Sequence, residues 1–256
     1  MSARIDKLAE TLDDAARRAR AVAQLGAEAD LSVSDAYAVQ AASIARRVAR
    51  GERRTGMKMG FTSRAKMVQM GVHDMIWGRL TDGMALEDGA PVSMSRFVHP
   101  RVEPELAFLL AKPLGAHVSL PEALDAVAAV APALEVIDSR YENFRFSLTD
   151  VIADNASSSG YVIGPWGDPK RDLANLGLVM SINGLPRQIG STAGILGHPL
   201  RSLVAAARLS AAAGEPLQAG WVVMAGGATA AEALASGQHV RCEMQGLGHV
   251  EFTVQE

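Results

Sequence analysis

The spacing of apolar residues divides the chain into a helical N-terminal segment and a strand-rich remainder. Apolar side chains recur at helical intervals over residues 5–23, and a second helix is predicted from an N-cap at Ser34 to about Arg50. Beyond that point, short alternating or wholly apolar runs bounded by glycine and proline are typical of strands. We therefore predict a helical segment at residues 1–51, packed on a main body at residues 52–256.

Strand-like runs in the main body follow one another with few helices between them. Strands are predicted near residues 55–61, 103–110, 133–137, 158–162, 176–182, 221–225, 239–244 and 248–254, and helices near 64–70, 121–127 and 198–213. The pair Asn183-Gly184 predicts a hairpin turn. Because strands and helices do not alternate regularly, the pattern predicts an α+β fold with a mixed or mostly antiparallel sheet.

Composition and charge narrow the classes of function. The chain has 256 residues, 48% of them hydrophobic, which is enough to bury one large core. Its formal net charge of −3 gives no basic excess for nucleic-acid binding, and its apolar runs are too short for a membrane helix. The N-terminus lacks the apolar stretch of a secretory signal, and the single Cys242 allows no intramolecular disulfide, so we expect a cytoplasmic protein.

Two glutamates share one face of a predicted strand. Side chains two residues apart on a strand point the same way, so Glu103 and Glu105 lie on one face, about 7 Å apart. Val102, Leu106 and Phe108 then form the opposite, apolar face. Alone, such a pair is more often the solvated face of a strand, and a functional interpretation depends on a third carboxylate.

Glu135 supplies that third carboxylate in a run, from Val130 to Ile137, whose other residues are all apolar or proline. The run predicts a strand buried on both faces, where an ionised carboxylate is costly unless it is paired or binds a metal. A buried salt bridge is the alternative interpretation. Together, the three carboxylates predict an all-oxygen site of the kind that Mg²⁺ or Mn²⁺ prefers.

Lys58 is flanked by methionines and glycines instead of charged residues. A lysine in an apolar strand either extends its ammonium group to solvent or has a functional role. If Lys58 adjoins the acidic site it balances charge there, and we expect burial to lower its pKa towards acid–base work.

Four turn-like segments allow either a structural or a ligand-binding interpretation. Ser63 is a predicted helix N-cap whose free amides suit a substrate carboxylate, and Asp82 precedes glycine in a predicted turn. Residues 154–160 form either a small polar loop or a substrate-facing one. Residues 225–229 contain two glycines, which let the backbone approach a ligand or form a tight turn.

Several of these residues belong to an ordered series of motifs. The series comprises Lys58-Met-Gly-Phe-Thr-Ser63, Leu80-Thr-Asp-Gly83, His99-Pro-Arg-Val-Glu-Pro-Glu-Leu-Ala-Phe108, Pro132-Ala-Leu-Glu-Val-Ile-Asp-Ser-Arg140, Ile152-Ala-Asp-Asn-Ala-Ser-Ser158, Gly197-His-Pro199 and the Gly-Gly-x-Thr at residues 226–229. Over nearly its whole length the chain resembles the hydratase/decarboxylase branch of the fumarylacetoacetate hydrolase superfamily. An ordered series is a specific match, unlike any one motif alone.

The resemblance implies a fold, a metal and a set of roles. The implied fold is a mixed β-roll with flanking helices and a helical N-terminal segment. One Mg²⁺ or Mn²⁺ is implied on Glu103, Glu105 and Glu135, with proton transfer by Lys58 and Asp82. The implied substrate-binding residues are Phe61, Thr62, Ser63, Asn155, Ser158 and Thr229.

Within the branch, residues 138–146 followed by Asp154-Asn155 are most similar to enzymes that decarboxylate 2-oxo-3-hexenedioate in the meta-cleavage catabolism of aromatic compounds. Hydration of 2-oxopent-4-enoate is the alternative, and a hydrolase or a scaffold subunit matches less well. The implied partners are a small 2-oxo dicarboxylic acid, further copies of the chain and a sister hydratase. Pro104 departs from the expected Ala or Val between the paired glutamates, so that strand must be an edge or irregular there.

Overall fold

The computed structural model describes residues 2–25, 30–63, 67–68 and 74–256. Its helices are α1 (Ala3–Arg17), α2 (Val33–Ala49), α3 (Leu120–Asp125), α4 (Leu148–Ala153) and α5 (Pro199–Ala212). None of these helices is long and apolar enough to cross a lipid bilayer. The helical N-terminal segment predicted from the sequence is confirmed as the pair α1 and α2, which pack on each other.

Both N-terminal helices differ from their predicted bounds. Helix α2 starts two residues earlier than predicted. Ser32, not Ser34, caps it through a reciprocal capping box with Asp35. Helix α1 stops at Arg17 instead of continuing to residue 23. The chain leaves the helix there because the backbone of Val22 forms a bridge with the 140–142 segment, a long-range contact that helical spacing does not reveal.

The strands form two sheets. They are β1 (Arg54–Gly60), β2 (Ile76–Thr81), β3 (Ala85–Leu86), β4 (Pro91–Ser93), β5 (Arg101–Leu110), β6 (Val127–Ile137), β7 (Ser158–Ile163), β8 (Gly177–Ile182), β9 (Leu185–Ser191), β10 (Val222–Met224), β11 (Glu232–Ala233), β12 (His239–Met244) and β13 (Gly248–Gln255). The larger sheet has the order β2-β1-β10-β5-β6-β7-β3, with β11 also paired to β5. The smaller sheet has the order β4-β13-β12-β8-β9.

The larger sheet is rolled so that its two edges meet. Strands β2 and β3 lie at opposite ends of the strand order, yet only the short turn Asp82–Met84 joins them. Such a connection requires the sheet to curl until its first and last strands are neighbours. Pairing is antiparallel between most neighbours and parallel for β1 with β10 and β3 with β7, so the predicted mixed α+β roll is confirmed.

The two faces of the rolled sheet have different partners. Its outer face carries Val102, Leu106 and Phe108 into the main hydrophobic core, where they meet the smaller sheet and α5. Its inner face carries small or flexible apolar side chains together with the acidic residues of β5 and β6. The alternation of side chains along each strand therefore separates the apolar core from the polar interior of the roll.

Strand β2 and helix α4 are among the elements that were not predicted from the sequence. Strand β2 is buried at all six positions, so it shows no alternation, and helix α4 has only six residues. Of the helix predicted near residues 64–70, Met67 and Val68 are helical, and the remaining positions lie outside the described residues. The Asn183-Gly184 turn is confirmed, with φ values of 52° and 76° between β8 and β9.

A buried aspartate fastens the N-terminal helices together. Asp13 of α1 is 2% exposed and accepts bonds from Arg46 (3.0 Å) and Arg50 (2.6 Å for each of two bonds) of α2. Burial alone would raise the pKa of Asp13, but the two guanidinium groups outweigh it and hold the pKa below its usual value.

We expect Asp13→Asn to destabilise the protein by about 1–3 kcal/mol at pH 7, because two charged donors lose an anionic acceptor. Since the folded pKa lies below that of the unfolded chain, this stability is present above the unfolded pKa and disappears as the pH falls through the folded one. Urea unfolding of both proteins at pH 7 and at about pH 3.5 measures this difference in the free energy of unfolding. The neighbouring Asp14→Asn, which loses only exposed pairs, is the control, and equal losses at both pH values would contradict the prediction.

Candidate metal centre

Three glutamates and one lysine converge inside the roll. Glu103 on β5 lies directly opposite Glu135 on β6, and Glu105 follows two residues along the same face of β5. Lys58 on β1 is level with Met224 of β10, which in turn pairs with Ala107. The sheet register therefore brings the four charged groups from three strands to one region, as the sequence predicted for the glutamates.

Lys58 forms a buried ion pair with Glu135. Its Nζ lies 2.9 Å from Oε2 of Glu135, and the two side chains are 5% and 1% exposed. The approach meets the distance for an ion pair, although its angles are poor for a directed hydrogen bond. Burial lowers the pKa of Lys58, but Glu135, Glu105 and Glu103 together raise it above its usual value. The expectation of a net lowering of this pKa is therefore wrong, because three nearby anions outweigh desolvation.

The carboxylate of Glu105 is only partly satisfied by hydrogen bonds from the described residues. Its Oε2 accepts a hydrogen bond of 2.7 Å from the amide of Gly226, whereas its buried Oε1 has no hydrogen-bond partner among the described residues. Burial, then the charges of Glu135 and Glu103, raise the pKa of Glu105 well above its usual value, against the opposing effect of Lys58. A cation beside Glu105 would oppose this rise in pKa.

Two glycines let the backbone approach these carboxylates. Gly226 has φ of 103°, and any Cβ there would overlap the Thr62 side chain. A Cβ at Gly227 would overlap Oε2 of Glu103. The backbone of residues 225–229 thus approaches these carboxylates, while its approach to a ligand stays a prediction. The loop also explains Pro104, whose nitrogen falls in the gap between β10 and β11, where no strand needs its missing N–H.

The chemistry of this cluster suits a divalent cation. Three carboxylates and one ammonium leave a net charge of minus two, which one divalent ion neutralises, and carboxylate oxygens are the donors that hard ions prefer. The unpartnered Oε1 of Glu105 is a ready acceptor for such an ion. In the part of the chain that the structure describes, no three acidic, histidine or cysteine side chains already surround one point as ligands. Glu135 pairs with Lys58 instead, and Glu105 and Glu103 lie near enough to raise the pKa of that lysine.

The predicted substrate-binding turn follows β1 directly. Phe61 has φ of 58° and packs towards the N-terminal helices, whereas Thr62 is 3% exposed and lies against Gly226. The backbone carbonyl of Ser63 accepts a hydrogen bond from the amide of Met67, as expected of a residue at a helix start. Thr229 is farther out: its hydroxyl bonds the carbonyl of Ala230, and its methyl faces β9.

Asp82 does not lie beside Lys58. Lys58 pairs with Gly78, whereas Thr81 pairs with Arg54, four residues away along β1, or about 13 Å. Asp82 binds the backbone and the guanidinium of Arg53 at 2.9 and 3.0 Å, and these bonds hold its pKa below the usual value. This register does not support the expectation that Asp82 assists Lys58. Asp82 instead stabilises the turn that joins β2 to β3.

Asn155 and Ser158 have contacts within the protein. Both groups of the Asn155 amide bond the backbone of Arg79 on β2. Ser158 Oγ donates to Oε1 of Glu135 at 3.0 Å. Ser158 thus bonds the acidic cluster and Asn155 bonds β2, while a substrate contact by either side chain stays a prediction of the resemblance.

Arg79 was missed by the sequence analysis. It is 3% exposed, and it bonds Gln40 of α2 at 2.6 Å and Glu215 at 2.5–3.1 Å. The available signal was the one that revealed Lys58, namely a single cation within an apolar run. It went unused because β2 itself was not predicted.

A cavity of about 280 Å³ lies between the N-terminal helices and the roll. Ser158 and Asn155 line its inner end, while Lys58 and the three glutamates do not. Arginines line it as well, and several are paired with acids, such as Arg140 with Asp154. The cavity is therefore connected to the acidic cluster through Ser158, whose hydroxyl bonds Glu135.

Comparison with known proteins identifies relatives. Residues 58–255 match the C-terminal domain of the fumarylacetoacetate hydrolase family. A 4-oxalocrotonate decarboxylase from a Pseudomonas species is 54% identical over 98% of each chain. The structure of 4-oxalocrotonate decarboxylase from Pseudomonas putida G7, complexed with magnesium and adipate, superposes with a TM-score of 0.95 at 39% identity, covering 98% of this chain and 97% of that one. A 2-keto-4-pentenoate hydratase from Paraburkholderia xenovorans is 36% identical over 86% of this chain and 83% of its own.

We expect Glu135→Gln to weaken Mn²⁺ binding at least about a hundredfold, because the site loses an anionic ligand and Lys58 loses its ion-pair partner. Titration followed by Mn²⁺ electron paramagnetic resonance measures the affinity directly. Glu243→Gln, an exposed strand residue of the smaller sheet, is the matched control and leaves the affinity unchanged. If the Glu135→Gln variant binds Mn²⁺ with the affinity of the unaltered protein, the assignment of Glu135 as a metal ligand is wrong.

Proposed function

Because the chain belongs to the fumarylacetoacetate hydrolase family, we propose that its acidic cluster catalyses the metal-dependent decarboxylation of 4-oxalocrotonate, that is, 2-oxo-3-hexenedioate. The products are CO₂ and 2-hydroxypenta-2,4-dienoate. The observation that carries the proposal is the set of buried Glu105, Glu135 and Lys58 with half-buried Glu103 beside them, in a chain that is 54% identical to a decarboxylase of this name.

The bound ligand of the related structure supports the substrate class. Adipate is a saturated dicarboxylate of six carbons, the same length and charge as 2-oxo-3-hexenedioate, and that structure also contains magnesium. In this chain Glu103, Glu105 and Glu135 would hold the ion. Mg²⁺ or Mn²⁺ would supply Lewis-acid stabilisation of the negative charge that develops on the 2-oxo oxygen.

The reaction moves one electron pair along the substrate. The bond between C5 and C6 breaks, C6 leaves as CO₂, and the electron pair passes through the C3–C4 double bond to the 2-oxo oxygen. The resulting dienolate needs one proton to give 2-hydroxypenta-2,4-dienoate. The site must therefore attract negative charge to the C2 oxygen and provide an acid nearby.

Lys58 is the acid that the cluster provides. The three glutamates raise its pKa, so the group is an ammonium at neutral pH and carries a proton to give. A bound divalent cation would reduce this effect, since it cancels the negative charges that raise the pKa. Lys58 can then donate its proton to the dienolate oxygen and regain one from solvent. Asp82 is not needed for this step, because it lies with Arg53 at the other end of β1.

Association with further copies or with a sister hydratase stays a prediction of the resemblance. Strand β9 offers a surface on which to test it, because it is an edge strand and exposes Leu185 and Ile189. Similarity to hydratases at 36% identity makes water addition the competing activity.

We expect the purified protein to release CO₂ from 2-oxo-3-hexenedioate in the presence of Mg²⁺ and to stop when EDTA removes the metal. Evolution of CO₂ and loss of substrate absorbance, followed together, measure the reaction. The control is 2-hydroxypenta-2,4-dienoate under the same conditions, which should take up little water. Rapid hydration of that compound without CO₂ release from the dicarboxylate would reassign the protein as a hydratase.

Replacing the lysine separates proton transfer from metal binding. We expect Lys58→Met to lower turnover by about 10²- to 10⁴-fold, as for loss of a general acid, while Mn²⁺ binds at least as tightly because a nearby positive charge is removed. Mn²⁺ titration and the CO₂ assay on the same preparation give both quantities. Joint loss of binding and turnover would instead assign Lys58 to assembly of the site.

A further inference from the structure

The two edges of the rolled sheet are joined by a side chain as well as by backbone. The backbone N–H and carbonyl of Arg79 on β2 point away from β1. The N–H donates to Oδ1 of Asn155 at 2.7 Å. Nδ2 of Asn155 donates to the carbonyl of Arg79 at 2.9 Å. A side-chain amide offers one donor side and one acceptor side, as a peptide group does, so Asn155 takes the place of a neighbouring strand.

This contact holds an unfavourable backbone conformation. Asn155, Ala156 and Ser157 have φ values of 52°, 51° and 59°, three consecutive residues in the left-handed region. Such residues persist only where surrounding contacts fix them. Gly78 shows how close the approach is, because any Cβ there would overlap the carbonyl oxygen of Asn155.

The strand that receives Asn155 is itself held firmly. The guanidinium of Arg79 bonds Gln40 and Glu215, and Gln40 also donates to the carbonyls of Trp77 and Ile152. These buried contacts fix the backbone of β2 on the side opposite β1. Asn155 is therefore anchored to a rigid neighbour, and its position is transmitted to the residues that follow it.

The residue that follows the left-handed turn reaches the acidic cluster. The carbonyl of Ser157 accepts the amide of Asp138, and β7 then begins at Ser158, opposite Ile137. The buried hydroxyl of Ser158 donates to Oε1 of Glu135, the glutamate that also pairs with Lys58. We propose that Asn155 is a positioning residue for the metal centre, acting through Ser158 to orient the carboxylate of Glu135. This inference rests on the proposed function only in that Glu135 binds a divalent cation.

A double-mutant cycle tests the route of this effect. We expect Asn155→Ala and Ser158→Ala each to weaken Mn²⁺ binding about tenfold, the lower end of the range for residues that orient metal ligands. If Asn155 acts through Ser158, the double variant loses no more than the larger single loss. Mn²⁺ titration by electron paramagnetic resonance, below the unfolding temperature of every variant, gives the affinities without recourse to catalysis.

A matched control distinguishes positioning from general destabilisation. Thr192 is also buried and also bonds two backbone groups with its side chain, those of Leu173 and Leu176, but it lies by the smaller sheet. Thr192→Ala should lower the unfolding temperature and leave Mn²⁺ affinity unchanged. Asn155→Asp keeps the acceptor for the Arg79 amide and loses the donor, so it provides a folded variant with a smaller loss if Asn155→Ala does not fold.

The outcomes separate this inference from the proposed function. Unchanged Mn²⁺ affinity in the Asn155 variants, or losses that multiply in the double variant, would overturn the positioning role. A tenfold loss in each single variant with no further loss in the double variant supports it, even if the unaltered protein releases no CO₂. Absence of CO₂ release from the unaltered, Mn²⁺-binding protein counts against the decarboxylase proposal alone.

Discussion

Burial of the Glu105 and Glu135 carboxylates beside a single ammonium, with half-buried Glu103 next to them, is the constraint on which this structure depends. The buried charges lose their hydration inside the roll, and mutual attraction and directed hydrogen bonds offset that loss. Lys58 compensates Glu135 directly, and the amide of Gly226 and the hydroxyl of Ser158 each satisfy one carboxylate oxygen. Compensation remains incomplete at Glu105, whose pKa is raised by burial and by its anionic neighbours. A divalent cation would complete that compensation, and this is the physical basis of the proposed metal site.

The rolled sheet is the means by which so many charges are brought together. A flat sheet would place Lys58 and Glu135 three strands apart, at roughly 4.8 Å for each step. Curling brings the side chains of the inner face towards one axis, so that Nζ of Lys58 lies 2.9 Å from Oε2 of Glu135. The same alternation sends Leu106 and Phe108 outwards into the core. Stability and chemistry are thus assigned to opposite faces of the same strands.

Local patterns in the sequence predicted the parts of this arrangement that depend on one strand. The common face of Glu103 and Glu105 follows from the period of two, and the burial of Glu135 follows from its apolar neighbours. The pairing of Asp82 depends on the register of β1 with β2, which no local pattern specifies, and there the expectation failed. The pKa of Lys58 was predicted in the wrong direction for a related reason. Its sequence neighbours are apolar, whereas its spatial neighbours are three anions from other strands.

The acidic cluster alone cannot distinguish decarboxylation from hydration, because both reactions place negative charge on the same substrate oxygen. The distinction must arise at the far end of the substrate, where a carboxylate becomes neutral CO₂. A free cation there would stabilise the charged ground state more than the transition state and so slow the reaction. In the cavity that Ser158 lines, Arg50 and Arg140 are paired with Asp13 and Asp154, whereas Arg96 bonds the carbonyl of Gly83 and lies over the ring of Phe97. A decarboxylase of this fold therefore gains by binding its substrate through the C1 carboxylate and 2-oxo end and leaving the departing group weakly held.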